Sequence, residues 1–169
     1  MKQLICAVLL VGGVLWPATA KAQMIILTRH AERADAGTPS AGAAMTSSND
    51  PLLSEVGKAR AAKLAGMLKD AGLVAVYTTE YKRTIDTGAP IAAAANVTPK
   101  VIPARDAAAL LAAIKSHTTG TILIVGHSNT VPEIIKALGG PTVTIDDADY
   151  DNVFFLGPGG ALTRIRFKP

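Results

Sequence analysis

The chain has 169 residues, 49% hydrophobic, 18% charged and 4% aromatic, which is the make-up of one globular domain. Its low charge excludes a disordered polyelectrolyte, and no apolar run approaches the roughly twenty residues that cross a bilayer. One Cys excludes a disulfide framework or a Cys-rich zinc module, and three His, none spaced as His-Glu-x-x-His, leave little from which to build a metal site.

Met1 and Lys2 form a short positive start, Leu4 to Trp16 an apolar stretch, and Pro17 to Ala22 a small-residue region. This order is that of a secretory signal peptide spanning residues 1–22. Ala20-Lys21-Ala22 fits the small-x-small cleavage pattern and places the cut before Gln23, with Ala18-Thr19-Ala20 as the competing site. Cys6 lies within the apolar stretch, too early to be a lipid-modified cysteine. Removal of Lys2 and Lys21 lowers the basic residues from 17 to 15 against 13 acidic, a formal charge of +2. No Lys/Arg run exceeds Lys82-Arg83 and the aromatics are not interleaved with basic clusters, so nucleic acid is excluded as the expected partner. The mature chain, residues 23–169, has no Cys, which suits a periplasmic or secreted protein.

Met24 to Thr28 is a short continuous apolar run and predicts a strand buried on both faces. Residues 35–50, rich in Gly, Ala, Ser and Thr, predict a loop, and Pro51 then suits the first turn of a helix to about Asp70. Leu52, Val56, Ala59, Lys63, Leu64 and Leu68 give that helix its expected inner side, and Gly72 its stop. Leu73 to Thr78 predicts a second strand, Glu80 or Tyr81 to Ala95 a helix, Lys100 to Ile102 a short strand, and Asp106 to Lys115 a helix. Thr121 to Val125 is the clearest buried strand. Val131 to Leu138 reads as a helix, and two strands, Val153 to Leu156 and Ala161 to Phe167, flank the turn at 157–160. Strands separated by helices imply a single-domain α/β/α sandwich with a mostly parallel sheet. In such sheets ligands bind at the carboxyl ends of the strands.

Three strand ends carry reactive residues: Arg29-His30-Ala31-Glu32 after the first, Thr79-Glu80-Tyr81-Lys82-Arg83 after the second, and Gly126-His127-Ser128 after the strand at 121–125. Strict alternation sends Arg29 and His30 to opposite faces, so both reach one site only if the strand ends at or before His30. Two His and two Arg on one edge suit phosphoryl transfer. A neutral imidazole is a nucleophile toward phosphorus, and two planar, permanently charged guanidinium forks hold the non-bridging oxygens. His30 then requires its other ring nitrogen to keep a proton bonded to a fixed acceptor, while His127 donates to a phosphoryl oxygen.

LTRHAER after the first strand, DPLLSEVGKARAAKLAGML as the first helix, VYTTEYKRTIDTGAPIA with Arg83 and Thr87, and TILIVGHSNTVPEII with the second His together resemble the histidine phosphatase superfamily, the phosphoglycerate-mutase-like group. The likeness runs through nearly the whole chain after residue 22. It implies a phosphohistidine intermediate on His30, a phosphate pocket from Arg29, Arg83 and His127, no metal or cofactor, and hydrolysis of a phosphomonoester carried by a small molecule or a phosphoprotein.

The sequence departs from the family pattern at three places. Ala31 replaces the usual Gly after the first His, the segment after the second helix is short with Asp106 its only acid, and Ser128 stands where phytase-like members have Asp. The proton donor to the leaving group is therefore not given by a motif, and Glu32, Glu80 and Asp106 are its candidates. Two of them have a structural alternative: Glu80 as an N-terminal helix charge, Asp106 as an N-cap. His117 is expected at the surface near a helix end, and the 146–151 acidic cluster lacks the Gly and terminal Glu of a calcium loop, so a solvated turn is expected there.

Two rival functions follow from the same residues. Gly126-His127-Ser128-Asn129-Thr130 resembles the Gly-x-Ser-x-Gly elbow of serine hydrolases, but its last Gly is Thr130 and no His lies downstream of His127. A non-catalytic phospho-ligand binding protein of the same fold needs only the pocket, not the proton donor. Mutase activity is disfavoured by the short segment after the second helix. The expected protein is a monomeric or weakly associating exported phosphatase, free of stable membrane association once the leader is cut. The 35–50 loop and the 146–151 segment are expected to border its pocket.

Overall fold

A computed structural model of the chain describes residues 23–35 and 50–168. The leader at 1–22 and residues 36–49 of the expected loop lie outside the described residues. Ten regular elements follow in order: β1 (Met24–Arg29), α1 (Glu55–Leu68), β2 (Leu73–Thr78), α2 (Lys82–Ala94), β3 (Lys100–Val101), α3 (Ala107–Lys115), β4 (Thr121–Gly126), α4 (Thr130–Ala137), β5 (Asn152–Leu156) and β6 (Leu162–Arg166), with a short 3-10 turn at Pro158–Gly160.

The six strands form one sheet in the order β3-β2-β4-β1-β5-β6. β3, β2, β4 and β1 run parallel, whereas β5 is antiparallel to β1 and to β6. The continuous apolar runs of β1 and β4 are buried on both faces because helices cover both. Strand alternation separates two cores: Ile25, Leu27, Ile122 and Ile124 pack with Ile114 of α3 and Ile134 and Ile135 of α4. Ile26, Leu123 and Val125 pack with Leu64 and Leu68 of α1 and Ile91 of α2. Each such side chain, fully removed from water, contributes roughly 1.5–3 kcal/mol before the entropy of ordering it.

The first helix differs from expectation in both its start and its inner face. It begins at Glu55, capped by Ser54, whose Oγ accepts from Gly57 N at 3.1 Å. Residues 52–54 are instead drawn into extended pairing, with Ala34 N donating to Leu52 O at 2.9 Å, Ser54 N to Glu32 O at 2.9 Å and an antiparallel bridge between Arg33 and Leu53. Leu52, Val56, Ala59 and Lys63 are exposed, and Gly57, Arg60, Ala61, Leu64, Ala65 and Leu68 face inward. Small residues allow this close approach: a Cβ at Gly57 would overlap the Glu32 carbonyl oxygen.

Smaller differences are local. β3 stops at Val101, although Ile102 N still donates to Thr78 O at 2.9 Å, and α4 begins one residue early, at Thr130. His117 follows α3 half-buried, its Nε2 2.9 Å from Tyr77 Oη, rather than standing free at the surface. No helix among the described residues is long and apolar enough to cross a membrane.

Candidate active site

The register of the central strands brings the two histidines together. β1 and β4 pair in parallel with Arg29 opposite Gly126, so His30 and His127 leave the sheet side by side, and His30 N donates to Gly126 O at 2.9 Å. Their ring centroids are 5.4 Å apart in an edge arrangement. β2 lies on the far side of β4 with Thr78 opposite Val125, which brings Thr79 against His127. The connections that leave β1 and β4 pass to opposite faces of the sheet, α1 packing in one core and α4 in the other, the place where open α/β sheets leave a crevice.

β1 ends at Arg29, so the backbone leaves the strand before His30. His30 Nδ1 lies 2.7 Å from the Ala31 carbonyl oxygen. A carbonyl only accepts, so Nδ1 carries the proton and Nε2 keeps its lone pair. Ala31, where the family pattern has Gly, is buried with Leu53 and Ala61. Its amide donates to Thr87 Oγ1 at 3.0 Å, and Thr87 Oγ1 in turn donates to the Arg83 carbonyl at 2.7 Å, tying the histidine loop to α2.

Arg29 is buried and anchored at one end. Its Nη1 donates to the carbonyls of Asp146 at 2.9 Å and Asp147 at 2.8 Å, with Asp149 O at 3.4 Å. Its Cζ lies 4.1 Å from the centre of the Tyr150 ring, which is also 5.9 Å from the His30 ring centre. Arg29 Nε is buried with no hydrogen-bond partner among the described residues, an expensive state for a charged donor unless a ligand satisfies it. Arg83 is 2% exposed in the first turn of α2. Its Nη1 is 3.3 Å from Asp50 Oδ1, and its Cζ is 4.3 Å from the centre of the Tyr81 ring. Asp50 also accepts from Lys82 N at 2.9 Å and so caps α2 from a distant part of the chain.

Burial and positive neighbours keep both histidines neutral. Desolvation, aided by the charges of Arg29, His127 and Arg83 and opposed by the Ala31 hydrogen bond, lowers His30 to about 2. Desolvation followed by the charges of Arg83 and Arg29 lowers His127 to about 3. Burial also lowers both arginines from their ordinary value, yet a guanidinium remains cationic.

The three candidate acids are engaged elsewhere. Glu32 is paired with Arg60, with Nε at 2.8 Å and Nη2 at 2.6 Å. Burial acts to raise the Glu32 carboxyl, but the Arg60 hydrogen bonds and charge outweigh it and hold it below its usual range. Asp106 caps α3 by accepting from Ala109 N at 2.9 Å. Exposed Glu80 accepts from Ala104 N at 2.7 Å. None of the three bonds either histidine. Ser128 Oγ donates to Asp147 Oδ1 at 3.3 Å and has no histidine partner, so the serine-hydrolase arrangement is absent among the described residues. No cluster of three or more His, Cys, Asp or Glu that would hold a metal occurs among the described residues.

Sequence reading did not single out Tyr150, Asp50, Tyr81, Thr79 or Thr84. The segment carrying Tyr150 was expected to border the pocket, but its carbonyl grip on Arg29 has no sequence signature. Beneath Thr79 and Gly126 lies an apolar cavity of about 210 Å³ lined by Ile102, Leu110, Leu111 and Ile134, on the sheet face rather than at the His30 edge.

Comparison with known proteins finds one family model and several similar folds. Residues 25–106 match the model of the histidine phosphatase superfamily (branch 1), a span that holds Arg29, His30 and Arg83 but stops short of His127. No curated protein sequence matches the chain. The fold is similar to a structure assigned as the phosphohistidine phosphatase SixA of Agrobacterium tumefaciens, at 20% identity and TM-score 0.59 over 87% of this chain and 99% of that one. It is similar also to a mycobacterial glucosyl-3-phosphoglycerate phosphatase complexed with VO3, at 15% identity and TM-score 0.60 over 86% and 97%. A third likeness is to a phosphoserine phosphatase mutant of Entamoeba histolytica with bound phosphoserine, at 15% identity and TM-score 0.60 over 86% and 96%.

Proposed function

We propose that the chain is a phosphomonoester-hydrolysing enzyme of the histidine phosphatase superfamily (branch 1), whose model matches residues 25–106, with His30 as its nucleophile and Arg29, Arg83 and His127 seating the phosphate. One observation carries the assignment: His30 spends its only proton on the Ala31 carbonyl, which leaves Nε2 free to attack, while the neighbouring Arg29 has a buried Nε with no hydrogen-bond partner among the described residues. His30 Nε2 attacks phosphorus in line, a P–N bond forms as the ester P–O bond breaks, and the two guanidinium groups hold the non-bridging oxygens while charge redistributes. Water then attacks the phosphohistidine, releasing inorganic phosphate and returning the electron pair to Nε2.

Proton delivery to the leaving group is the weakest part of the site, since Glu32, Glu80 and Asp106 all hold other partners. Substrates whose leaving group departs as a stabilised anion are therefore favoured. The three similar structures act on or bind chemically different phosphates, so the substrate class proposed is a phosphomonoester on a small molecule or on a protein side chain. Export follows from the leader pattern of residues 1–22, and N-terminal sequencing of the mature protein is expected to begin at Gln23.

Hydrolysis of p-nitrophenyl phosphate with chelator present, compared with His30→Ala, tests the reading. Turnover that disappears in a folded His30→Ala protein is expected, together with an acid-labile, base-stable phosphoenzyme. Equal turnover in both proteins would remove His30 as nucleophile. Binding of phosphate without turnover of any ester in a panel including phosphoserine, a phosphohistidine peptide and a phosphoglycerate would favour the non-catalytic binding protein.

A further inference from the structure

Behind His127 stands a chain of two buried hydroxyls that the phosphate-binding assignment does not use. Thr79, just after β2, is 7% exposed, and Thr84, in the first turn of α2, is fully buried. His127 Nε2 lies 3.0 Å from Thr79 Oγ1, and Thr79 Oγ1 lies 2.8 Å from Thr84 Oγ1. Thr84 Oγ1 then reaches the Tyr81 carbonyl at 2.7 Å and the Thr79 carbonyl at 3.1 Å.

The end of this chain sets its direction. A carbonyl only accepts, so Thr84 spends its one proton on a carbonyl and can then only accept from Thr79. Thr79, its proton spent on Thr84, can only accept in turn, and the group left to donate is His127 Nε2–H. We infer that Thr79, oriented by Thr84, is a positioning residue that holds His127 with its proton on Nε2, leaving Nδ1 as the nitrogen available to the phosphate. No hydrogen bond to Nδ1 occurs among the described residues.

This inference rests on the phosphate-binding role given to His127, and it changes what that role requires. With Nε2–H committed to Thr79, a neutral His127 offers the phosphate a lone pair, not a donor. It becomes a donor only by taking a second proton on Nδ1, so anion binding and proton uptake are linked. The groups that face His127 are His30 beyond β1, Tyr81 and Arg83 at the start of α2, and Arg29. The two arginines oppose its protonation until an anion offsets their charge.

The test is the 15N spectrum of the His127 ring at pH 7 in the full mature protein, with and without sulfate, which stays a dianion from pH 5 to 8. The free protein is expected to show Nε2 protonated and Nδ1 bare, and sulfate to protonate both. In Thr84→Val the Thr79 hydroxyl loses its acceptor and turns toward His127, so the Nδ1–H tautomer is expected to appear. Thr79→Val removes the acceptor at unchanged side-chain shape, and its kcat/KM for p-nitrophenyl phosphate is expected to fall about tenfold or more, with most of the loss recovered in Thr79→Ser. An Nδ1–H tautomer in the free wild-type protein would overturn the inference, as would a tautomer identical in wild type, Thr79→Val and Thr84→Val. The nitrogen spectra need no turnover, so they stand or fall independently of the His30→Ala assay: full activity in His30→Ala would refute the phosphatase mechanism alone.

Discussion

Glu32 follows His30, the proposed nucleophile, by two residues, and its carboxylate is the partner of Arg60, which also donates from Nη1 to the Phe167 carbonyl at 2.8 Å. The side chains are 10% and 15% exposed for Arg60 and Glu32, so this is a nearly buried, forked pair rather than a surface contact. Removing one partner of such a pair costs about 3–5 kcal/mol because the other charge is stranded, and the residual exposure here points to the lower end. Glu32→Ala is thus expected to lower stability by about 3 kcal/mol, a drop of roughly 6–12 °C in Tm for a domain of this size. Glu32→Ala/Arg60→Met should cost clearly less than the sum of the single changes, with a coupling of about 2 kcal/mol in a urea-denaturation cycle. The folded carboxyl is held below its unfolded value, so its contribution is present above the unfolded pKa and is lost as pH falls through the folded one. Turnover per folded molecule should stay within about threefold of wild type, well short of the losses of 100-fold or more that mark a general acid. A coupling under about 0.5 kcal/mol would refute the structural argument. A 100-fold loss of kcat with stability intact would make Glu32 the proton donor instead.

Three further outcomes follow from named contacts. Gly57→Ala drives a methyl group into the Glu32 carbonyl oxygen and should cost about 1–3 kcal/mol in urea denaturation; an unchanged midpoint would show that α1 can retreat. Arg29→Lys gives up the fork that three carbonyls orient and should lower kcat/KM for p-nitrophenyl phosphate by about 100-fold while the protein remains folded; a change below about threefold would remove Arg29 from the phosphate seat. His30 and His127, lowered to about 2 and about 3, stay neutral in the folded protein while the unfolded chain takes up protons below about pH 6.5. Their stability is therefore complete above that pH and lost as pH falls. The slope reaches about 1.4 kcal/mol per pH unit for each, or about 2–3 kcal/mol in total between pH 7.5 and 5.5. Thermal melts across that range should show a clear decline that is halved in His127→Asn, and a flat profile would refute the buried-neutral assignment.

The sheet was legible because apolar runs such as Ile25 to Thr28 and Thr121 to Val125 have few alternatives in a chain this short of charge. The four reactive side chains were legible for the same reason, since parallel strands present their carboxyl ends on one edge. What local pattern could not supply was long-range pairing. The start of α1 was misplaced because residues 52–54 pair with residues 32–34, and a tertiary ladder outweighs the preference of Pro51 for a first helical turn. Its inner face was placed correctly at Leu64 and Leu68 but missed Gly57, Ala61 and Ala65, which seat the helix by being small, whereas hydrophobic periodicity counts large side chains. Tyr150, Asp50 and Thr79 lie far in sequence from the residues they touch: Asp50 from Arg83, Tyr150 from Arg29, Thr79 from His127.

Those late-found residues share one task. Two guanidinium groups and two imidazoles crowd a buried edge, where Asp50 lies beside Arg83 and Asp147 Oδ1 is 3.9 Å from Arg29 Nη2. The fold tolerates this concentration of charge by distributing partial charges instead of anions: three carbonyls on Arg29, the rings of Tyr150 and Tyr81 under the guanidinium planes, a hydroxyl on His127 and a carbonyl on His30. Dipoles of that kind orient a cation without neutralising it. A second carboxylate placed firmly on Arg29 would stabilise the empty protein but compete directly with the phosphate. Asp147 instead projects its carboxylate into solvent at 96% exposure while its carbonyl binds Arg29. The site thereby stays cationic, and Arg29 Nε has no hydrogen-bond partner among the described residues. For the proposed phosphatase, stability given up by leaving these donors without anionic partners would reappear as affinity for the phosphate, and more strongly for the transition state, whose equatorial oxygens carry the charge those donors are already oriented to receive.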